Sequence, residues 1–451
     1  MKLFGTDGIR GDSSKFPFDN STLTVIGRSI ADVLCANKSI LIIRDTRESG
    51  RRIQEKLFEG MSAAGAEAVF GGIMPTPAAS LLLKKKNYSA AVVISASHNF
   101  YTDNGIKIFN SDGYKLSNLA EEKIETRINK YIASKDIPCT VESALREDAS
   151  LINIYEDFVV NIFLGGTLKG KTIVLDCANG ASYKCVPRIM KRLGADVIAL
   201  NVNPDGRNIN LNCGALHPEV LCTAVKEYNA FCGFAFDGDG DRLICVDENG
   251  TVRDGDYFLS SMSLWLKSKK KLRNNILVST AVANIGLSRA LKKAKIKVVL
   301  SDVGDRYVAE NMKEHGASLG GEQSGHFIFK DLLATGDGVL SSVMLLLALN
   351  DTGKTMSEFM NVIEKFPQVF LNRKLAKRVP FDKLPKSCSL IRTYEKFLGG
   401  DGRILVRYSG TEDLLRIMVE GKDLCEIQSI AENIADSVEK ETSSQKFQED
   451  I

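Results

Sequence analysis

Short apolar runs rich in β-branched residues recur along the chain: LIIRD (41–45), AAVVISAS (90–97), TIVLDCAN (172–179) and ILVSTAV (276–282). Between them lie stretches with apolar positions at helical spacing, RRIQEKLFEGMSAAGA (51–66), ASYKCVPRIMKRLG (181–194) and IGLSRALKKAK (285–295). Strands alternating with amphipathic helices are the signature of βαβ units, so the pattern predicts parallel sheets covered by helices. Gly194 fits a helix stop ahead of the strand ADVIAL. The longest apolar stretch, Val339 to Leu349, is interrupted by Ser341 and Ser342 and falls short of the ~20 residues of a membrane span, so it predicts a buried core helix.

A long charged helix from Leu119 to Lys135, followed by polar sequence to about Leu151, marks a first boundary, and the turn DENG (247–250) marks a second. From about Phe366 the texture changes to QVFLNRKLAKRV, RILVRYS and LLRIMVEG, then a helix from Leu424 to about Lys440. The predicted organisation is α/β throughout residues 1–150, 151–250 and 251–365, with mixed or parallel sheets, plus an α+β domain over 366–451 whose last residues, SSQKFQEDI, are frayed. The basic runs Lys84 to Lys86 and Lys267 to Arg273 fall at predicted helix ends, where cations complement the dipole.

Composition narrows the function classes. With 44% hydrophobic and 25% charged residues the 451-residue chain is an ordinary globular protein. A net charge of 59 − 56 = +3 is too small for a dedicated nucleic-acid binder. The ten cysteines form no CxxC pair and have no His at zinc-ligand spacing, which predicts reduced thiols buried as small hydrophobes. After Met1 and Lys2 the chain goes directly into FGTDGIRG without an apolar signal core, so a cytoplasmic protein with neither membrane nor nucleic-acid partner is expected.

Two pattern matches are decoys. Gly165 to Thr172 satisfies the phosphate-loop spelling, but helical sequence precedes it and the strand TIVLD follows, the reverse of a true phosphate loop. Gly316 to Gly320 spells a nucleophile elbow with Ser318, yet GEQSGH follows instead of a helix.

CGFAFDGDGDRLICVDENG is more specific: Asp237, Asp239 and Asp241 alternate with glycines at the end of an apolar strand. Each charged pair at ~6 Å and an effective dielectric of ~20 repels by about 3 kcal/mol, so protonation or a divalent cation, most simply one Mg²⁺, must offset it. An EF-hand fails because its sixth position is Arg242 and its flanks read as strands. An aspartyl nucleophile of the Asp-x-Asp kind and a purely structural acidic turn are the other readings of this segment. Ser95-Ala-Ser97-His98-Asn99 ends another strand, where ligands bind in α/β domains, and without a GxSxG elbow phosphoryl transfer suits the hydroxyl better than acyl hydrolysis. Strand periodicity puts Ser95 and Ser97 on one face and does not choose between them. Arg407-Tyr-Ser409-Gly410-Thr411-Glu412 can form an anion nest for a substrate phosphate, or a surface turn capped by hydroxyls.

FGTDGIRG (4–11), ISASHN (94–99), DGDGDR (237–242), GEQSGH (321–326) and RYSGTE (407–412), in that order across nearly the whole chain, resemble the α-D-phosphohexomutase superfamily. Within it the chain most resembles bacterial phosphoglucosamine mutases, through PDGRNINLNCG (204–214), VGDRYV (303–308) and Gln323. The resemblance implies four domains around a central cleft. It implies Ser97 as the phosphoserine, and one Mg²⁺ held by Asp237, Asp239, Asp241 and an oxygen of that phosphoserine. Arg10, His98, Lys107 and Arg242 would surround the reacting phosphoryl group, with Lys107 as general base. Glu322, Ser324 and His326 would bind the sugar, and Arg407, Ser409, Gly410 and Thr411 the phosphate not being transferred.

The implied activity is interconversion of glucosamine 6-phosphate and glucosamine 1-phosphate through a 1,6-bisphosphate, for amino-sugar nucleotide and cell-wall precursor synthesis. Glucosamine or glucose 1,6-bisphosphate would serve as primer. The partner is then a small-molecule hexosamine phosphate, and a homodimer is compatible with the resemblance. The rivals are the same chemistry on glucose or mannose phosphates and a non-catalytic sugar-phosphate sensor. Phe100 and Asp413 stand where the superfamily usually has proline, which leaves both loops less restrained and puts a carboxylate beside the phosphate loop.

Overall fold

The structure, a computed structural model, describes residues 2–5, 7–35, 39–136, 144–409 and 414–444. Eighteen strands form four sheets among these residues. The first contains β1 (Ile9–Asp12), β2 (Ile40–Arg44), β3 (Ala68–Ile73), β4 (Ala90–Ile94), β5 (Asp103–Asn110) and β6 (Arg146–Glu147), in the order β1-β5-β4-β2-β3-β6. The second contains β7 (Thr172–Asp176), β8 (Asp196–Leu200), β9 (Cys232–Phe236), β10 (Leu243–Val246) and β11 (Val252–Arg253), in the order β11-β10-β9-β7-β8. β12 (Ile276–Thr280), β13 (Lys297–Ser301), β14 (Leu319–Gly321) and β15 (Phe327–Phe329) make the third, in the order β13-β12-β14-β15. β16 (Gln368–Lys374), β17 (Arg403–Tyr408) and β18 (Leu414–Glu420) make the last, wholly antiparallel, in the order β16-β18-β17.

The first three sheets are mixed. Strands joined by helices are parallel, as in β2–β4 and β7–β9, whereas β4–β5, β9–β10 and β14–β15 are antiparallel. The reason lies in the connections: the loops after β4, β9 and β14 are too short for a crossover helix, so the chain must return antiparallel. Those three loops carry ISASHN, DGDGDR and GEQSGH.

One continuous apolar core runs from Leu41 and Val93 of the first sheet, through Leu175 and Phe234 of the second, to Leu277 and Phe327 of the third. The helix Gly338–Thr352 lies within it, as its apolar sequence predicts. Asp337 caps that helix by accepting from Leu340 N at 2.9 Å, and also accepts from Tyr155 Oη at 2.9 Å. The last sheet has its own core around Leu415, Ile417 and Ile434. It docks on the third through polar contacts: Arg403 reaches Ala281 O and the buried Glu420, which also accepts from Ile285 N at 2.7 Å.

Both decoys fail as expected. Thr172 opens β7 instead of a helix, and Ser318 spends its hydroxyl on Lys271 O and Arg273 N. Cys177, Cys185, Cys213, Cys232 and Cys245 are buried as expected, Cys35, Cys222 and Cys388 are half-buried, and Cys425, near the start of an amphipathic helix (Leu424–Ser444), is exposed and departs from that expectation. Cys139 and residues 445–451 lie outside the described residues, whereas Ser443 and Ser444, the start of the expected frayed end, close the last helix. Among the described residues no helix is long and apolar enough to cross a membrane.

The helices Asn20–Leu34 and Ser49–Ala63 approach each other through Gly27 and Gly60. A Cβ on Gly27 would stand 2.0 Å from Leu57 O, and one on Gly60 would stand 1.9 Å from Thr24 O. Gly27→Ala is expected to destabilise the protein by roughly 1–3 kcal/mol, seen as a lowered melting temperature. Gly400→Ala, whose Cβ meets nothing within 4 Å, serves as the unshifted control.

Candidate active site

β4 stops at Ile94, so Ser95 and Ser97 lie beyond the strand and the expected equivalence of their hydroxyls does not hold. Ser97 has φ +52°, a left-handed state that costs a non-glycine residue of order 1–3 kcal/mol. Its Oγ donates to Asp237 Oδ2 at 2.6 Å and lies 3.3 Å from His98 Nδ1. Ser95 Oγ instead donates to Asp45 Oδ2 at 2.6 Å, away from the cluster.

The loop after β9 can come this close because Gly238 has no side chain: a Cβ there would stand 2.5 Å from Ser97 O. Asp237, Asp239 and Asp241 are buried and each has a carboxylate oxygen within 4.8 Å of the others'. Burial pushes the Asp237 carboxyl well above its ordinary range, and the charges of Asp241 and Asp239 add to the effect. Asp239 goes the other way. Burial raises it, but the Lys107 charge and hydrogen bonds from Lys107 and Thr76 outweigh that and hold it below the usual range. Thr76, at the start of the helix Thr76–Lys85, gives both its hydroxyl and its amide to Asp239.

Lys107, on β5, is 1% exposed and has its Nζ 2.8 Å from Asp239 Oδ2, 3.3 Å from Asp7 Oδ2 and 3.5 Å from Asp241 Oδ2. Burial alone lowers its pKa, but Asp239, Asp7 and Asp241 together raise it, so it is an ammonium ion. Arg10, on β1, pairs with Asp7, which also holds Lys115, and Lys115 in turn holds Asp305 below the third sheet's β13. Arg242 donates its main-chain N–H to Asp237 Oδ1 at 3.1 Å. Burial, reinforced by Arg242 and Arg10, brings the His98 pKa down to about 3, so the ring is neutral at neutral pH.

A hard divalent cation fits this cluster. Asp239 Oδ1 and Asp241 Oδ1 are buried and have no hydrogen-bond partner, and the donor set is all oxygen.

The third sheet reaches the same place. Arg242 bridges to His326, Leu243 N donates to Gly325 O at 2.9 Å, and the charge of Glu322 acts on Arg242. Burial raises the Glu322 carboxyl, which accepts from Gly304 N at 3.2 Å. His326 packs against Gly336, with Nε2 3.7 Å from Asp305 Oδ2. Ser324 is exposed. Arg407 faces Arg416 in register across β17–β18, and the charge of Asp302 acts on it. Ser409 is buried and donates its amide to Leu414 O at 2.8 Å, while Gly410, Thr411 and Asp413 lie outside the described residues.

Sequence reading missed Asp7, Asp45, Arg47, Thr76, Lys115, Asn210 and Asp305, all in direct contact with this constellation or one step removed. Asp7, Asn210 and Asp305 lie inside the motifs FGTDGIRG, PDGRNINLNCG and VGDRYV, and DTRESG (45–50), a polar segment directly after an apolar strand, points to Asp45 and Arg47.

Comparison with known proteins agrees with this geometry. Residues 1–135, 155–250 and 254–366 match the phosphoglucomutase/phosphomannomutase alpha/beta/alpha domains I, II and III, and residues 366–437 match the C-terminal domain of the same family. The phosphoglucosamine mutase of Syntrophotalea carbinolica is 44% identical over 446 residues, 97% of each chain. A phosphoglucomutase/phosphomannomutase family protein from Burkholderia thailandensis shares the fold with a TM-score of 0.80 at 23% identity, over 98% of each chain. The Aspergillus fumigatus N-acetylphosphoglucosamine mutase, solved with GlcNAc-6P and magnesium, shares it with a TM-score of 0.66 at 17% identity, over 98% of this chain and 96% of that one. With full-length identity of this order and all four domains in sequence, the chain belongs to the phosphoglucosamine mutase family of the phosphoglucomutase/phosphomannomutase superfamily.

Proposed function

We propose that the chain interconverts glucosamine 6-phosphate and glucosamine 1-phosphate through a phosphoserine at Ser97 and a 1,6-bisphosphate. The observation that carries this reading is the Ser97 hydroxyl, 2.6 Å from one carboxylate of the Asp237, Asp239 and Asp241 cluster, with the charges of Arg242, Arg10 and Lys107 acting on the adjoining His98. The four units, 1–150, 151–250, 251–365 and 366–451, then each contribute one loop to one cleft.

In the first half-reaction the Ser97 O–P bond breaks as a bond forms between phosphorus and the sugar O1. The O1 proton leaves to a base, and the seryl oxygen takes one up. The bisphosphate then turns end for end, and its 6-phosphoryl group passes to Ser97 with protons moving in the opposite sense. Lys107, Arg10 and Arg242 stabilise the phosphoryl oxygens by charge. Lys107 acts first as a cation, and the general-base part requires that it shed its proton, which the charges of Asp239 and Asp241 oppose. Neutral His98 is a hydrogen-bond partner for the phosphorylated serine. Glu322, Ser324 and His326 hold the sugar, while Arg407, Ser409, Gly410 and Thr411 hold the other phosphate.

Asp237, Asp239, Asp241 and a phosphoserine oxygen would hold Mg²⁺, which when bound offsets the carboxylate charge and polarises the phosphoryl group. The magnesium and GlcNAc-6P in the Aspergillus enzyme support this reading. The primer is glucosamine or glucose 1,6-bisphosphate, and the setting is cytoplasmic.

Initial rates on glucosamine, glucose and mannose 6-phosphates, with Mg²⁺ and a bisphosphate primer, test the substrate. The glucosamine compound is expected to be preferred by at least about 10-fold in kcat/KM. Preference for mannose or glucose overturns the assignment, and binding without turnover on all three is the behaviour of a sensor.

Peptide mapping of the active protein is expected to place phosphate on Ser97 and none on Ser95. Ser97→Ala is expected to reduce turnover by on the order of 10⁴-fold or more. Phosphate on Ser95 sinks the mechanism.

Asp239→Asn is expected to weaken Mg²⁺ binding, read by calorimetry, by roughly 10- to 100-fold and to slow turnover comparably, with the circular dichroism spectrum unchanged. Wild-type affinity in this variant removes the cluster from consideration as the metal site.

A further inference from the structure

Arg47 lies in the polar segment after β2 and is 1% exposed, yet it touches neither the carboxylate cluster nor any residue expected to bind sugar. Its guanidinium has five N–H groups in a fixed planar fork, and all five find acceptors. Nη2 donates to Ser97 O and to Asn99 O, each at 2.9 Å. Nη1 donates to Phe100 O and, at 3.1 Å, to Asp103 O. Nε donates to Asp45 Oδ2 at 2.8 Å. Four of the five acceptors are main-chain carbonyls, three from the loop that carries Ser97 and one from Asp103, where that loop enters β5.

The other side of Ser97 is tied to the same pair. Ser97 N donates to Ser95 Oγ at 2.9 Å, and Ser95 Oγ donates to Asp45 Oδ2, the oxygen that receives Arg47 Nε. From the second sheet's side, Asn210 Nδ2 donates to Ser97 O at 2.9 Å and to Asn99 O at 3.1 Å. Both peptide units flanking Ser97 are therefore fixed by buried side chains. A left-handed non-glycine residue persists only where its surroundings over-determine it. Here that conformation aims Oγ at Asp237.

We propose that Arg47 is a positioning residue for phosphoryl transfer: with Asn210 it holds Ser97 in the left-handed conformation that presents its oxygen to the metal cluster and the substrate. The proposal rests on the reading of Ser97 as the phosphorylated residue. It also supplies what the loop lacks in its own sequence. Phe100 has no ring to restrict φ, its side chain is 63% exposed, and its carbonyl is held from outside by Arg47. Lysine cannot substitute, because an ammonium is a point charge with three donors and does not span four carbonyls.

The test compares wild type with Arg47→Lys, Arg47→Ala and Asn210→Ala in steady-state kinetics, Mg²⁺ calorimetry and thermal unfolding. Arg47→Lys is expected to lose ~100-fold in kcat, the scale of a misplacement of about 1 Å, with KM and Mg²⁺ affinity within about threefold of wild type. Asn210→Ala, which removes one of the two donors to Ser97 O, is expected to lose roughly 10-fold in kcat with the same KM. Guanidinium ion, added below its unfolding range, is expected to restore part of the kcat of Arg47→Ala and to leave Arg47→Lys unchanged. If Arg47→Ala does not fold, Arg47→Lys and Asn210→Ala decide the question. Near wild-type kcat in both, or a kcat loss matched by equal losses in substrate affinity, Mg²⁺ affinity and melting temperature, overturns the positioning role. Wild-type protein that turns over with no phosphate on Ser97 overturns the mutase mechanism instead, so the two failures are distinct.

Discussion

Three carboxylates buried around one serine are the constraint to which the rest of the site answers. Left alone, Asp237, Asp239 and Asp241 would repel one another by several kcal/mol in a setting that water does not screen. The protein meets that cost with the Lys107 charge, brought from β5 against Asp239 and Asp241, and within the carboxylate loop itself with the main-chain N–H and the charge of Arg242 against Asp237. It does not meet it in full, since one oxygen each of Asp239 and Asp241 has no partner. A site that binds a divalent cation must keep such a deficit, because complete internal neutralisation would leave a metal nothing to gain.

The same charges explain why three sheets share one core and a fourth does not. The loops after β4, β9 and β14 meet at one place, and they are held there by continuous apolar packing from Leu41 to Met360. Apolar burial on that scale leaves little freedom for rigid-body motion. The last sheet, with Arg407 and Ser409, has a separate core and is joined by Arg403, Glu420 and Asn284 through hydrogen bonds to main-chain groups. Polar docking of this kind is a weaker attachment than continuous apolar packing.

Much of this was legible in the chain itself. Alternating β-branched runs and amphipathic helices announce the three α/β units, because burial on both faces of a sheet demands them. The apolar run 339–349 announces a core helix, and it is one. Closely spaced aspartates after an apolar strand announce a cation site, since their mutual repulsion needs an external charge whatever the fold.

What the sequence could not decide is anything that depends on a partner distant along the chain. Strand periodicity does not separate Ser95 from Ser97; the resemblance picks Ser97, and the left-handed turn there, with Asp45 taking up Ser95, supplies the physical reason. Lys107 reads as one lysine among many until β5 places it against Asp239, 132 residues away. Arg47 and Asn210 stand in polar motifs, DTRESG and PDGRNINLNCG, that do not disclose their role, because a guanidinium or an amide becomes a clamp only when carbonyls from another loop are brought to it. Local periodicity and local repulsion are properties of neighbouring residues and are determined by the sequence alone. Which buried donor meets which buried acceptor is decided by long-range packing, and that exists only in the folded chain.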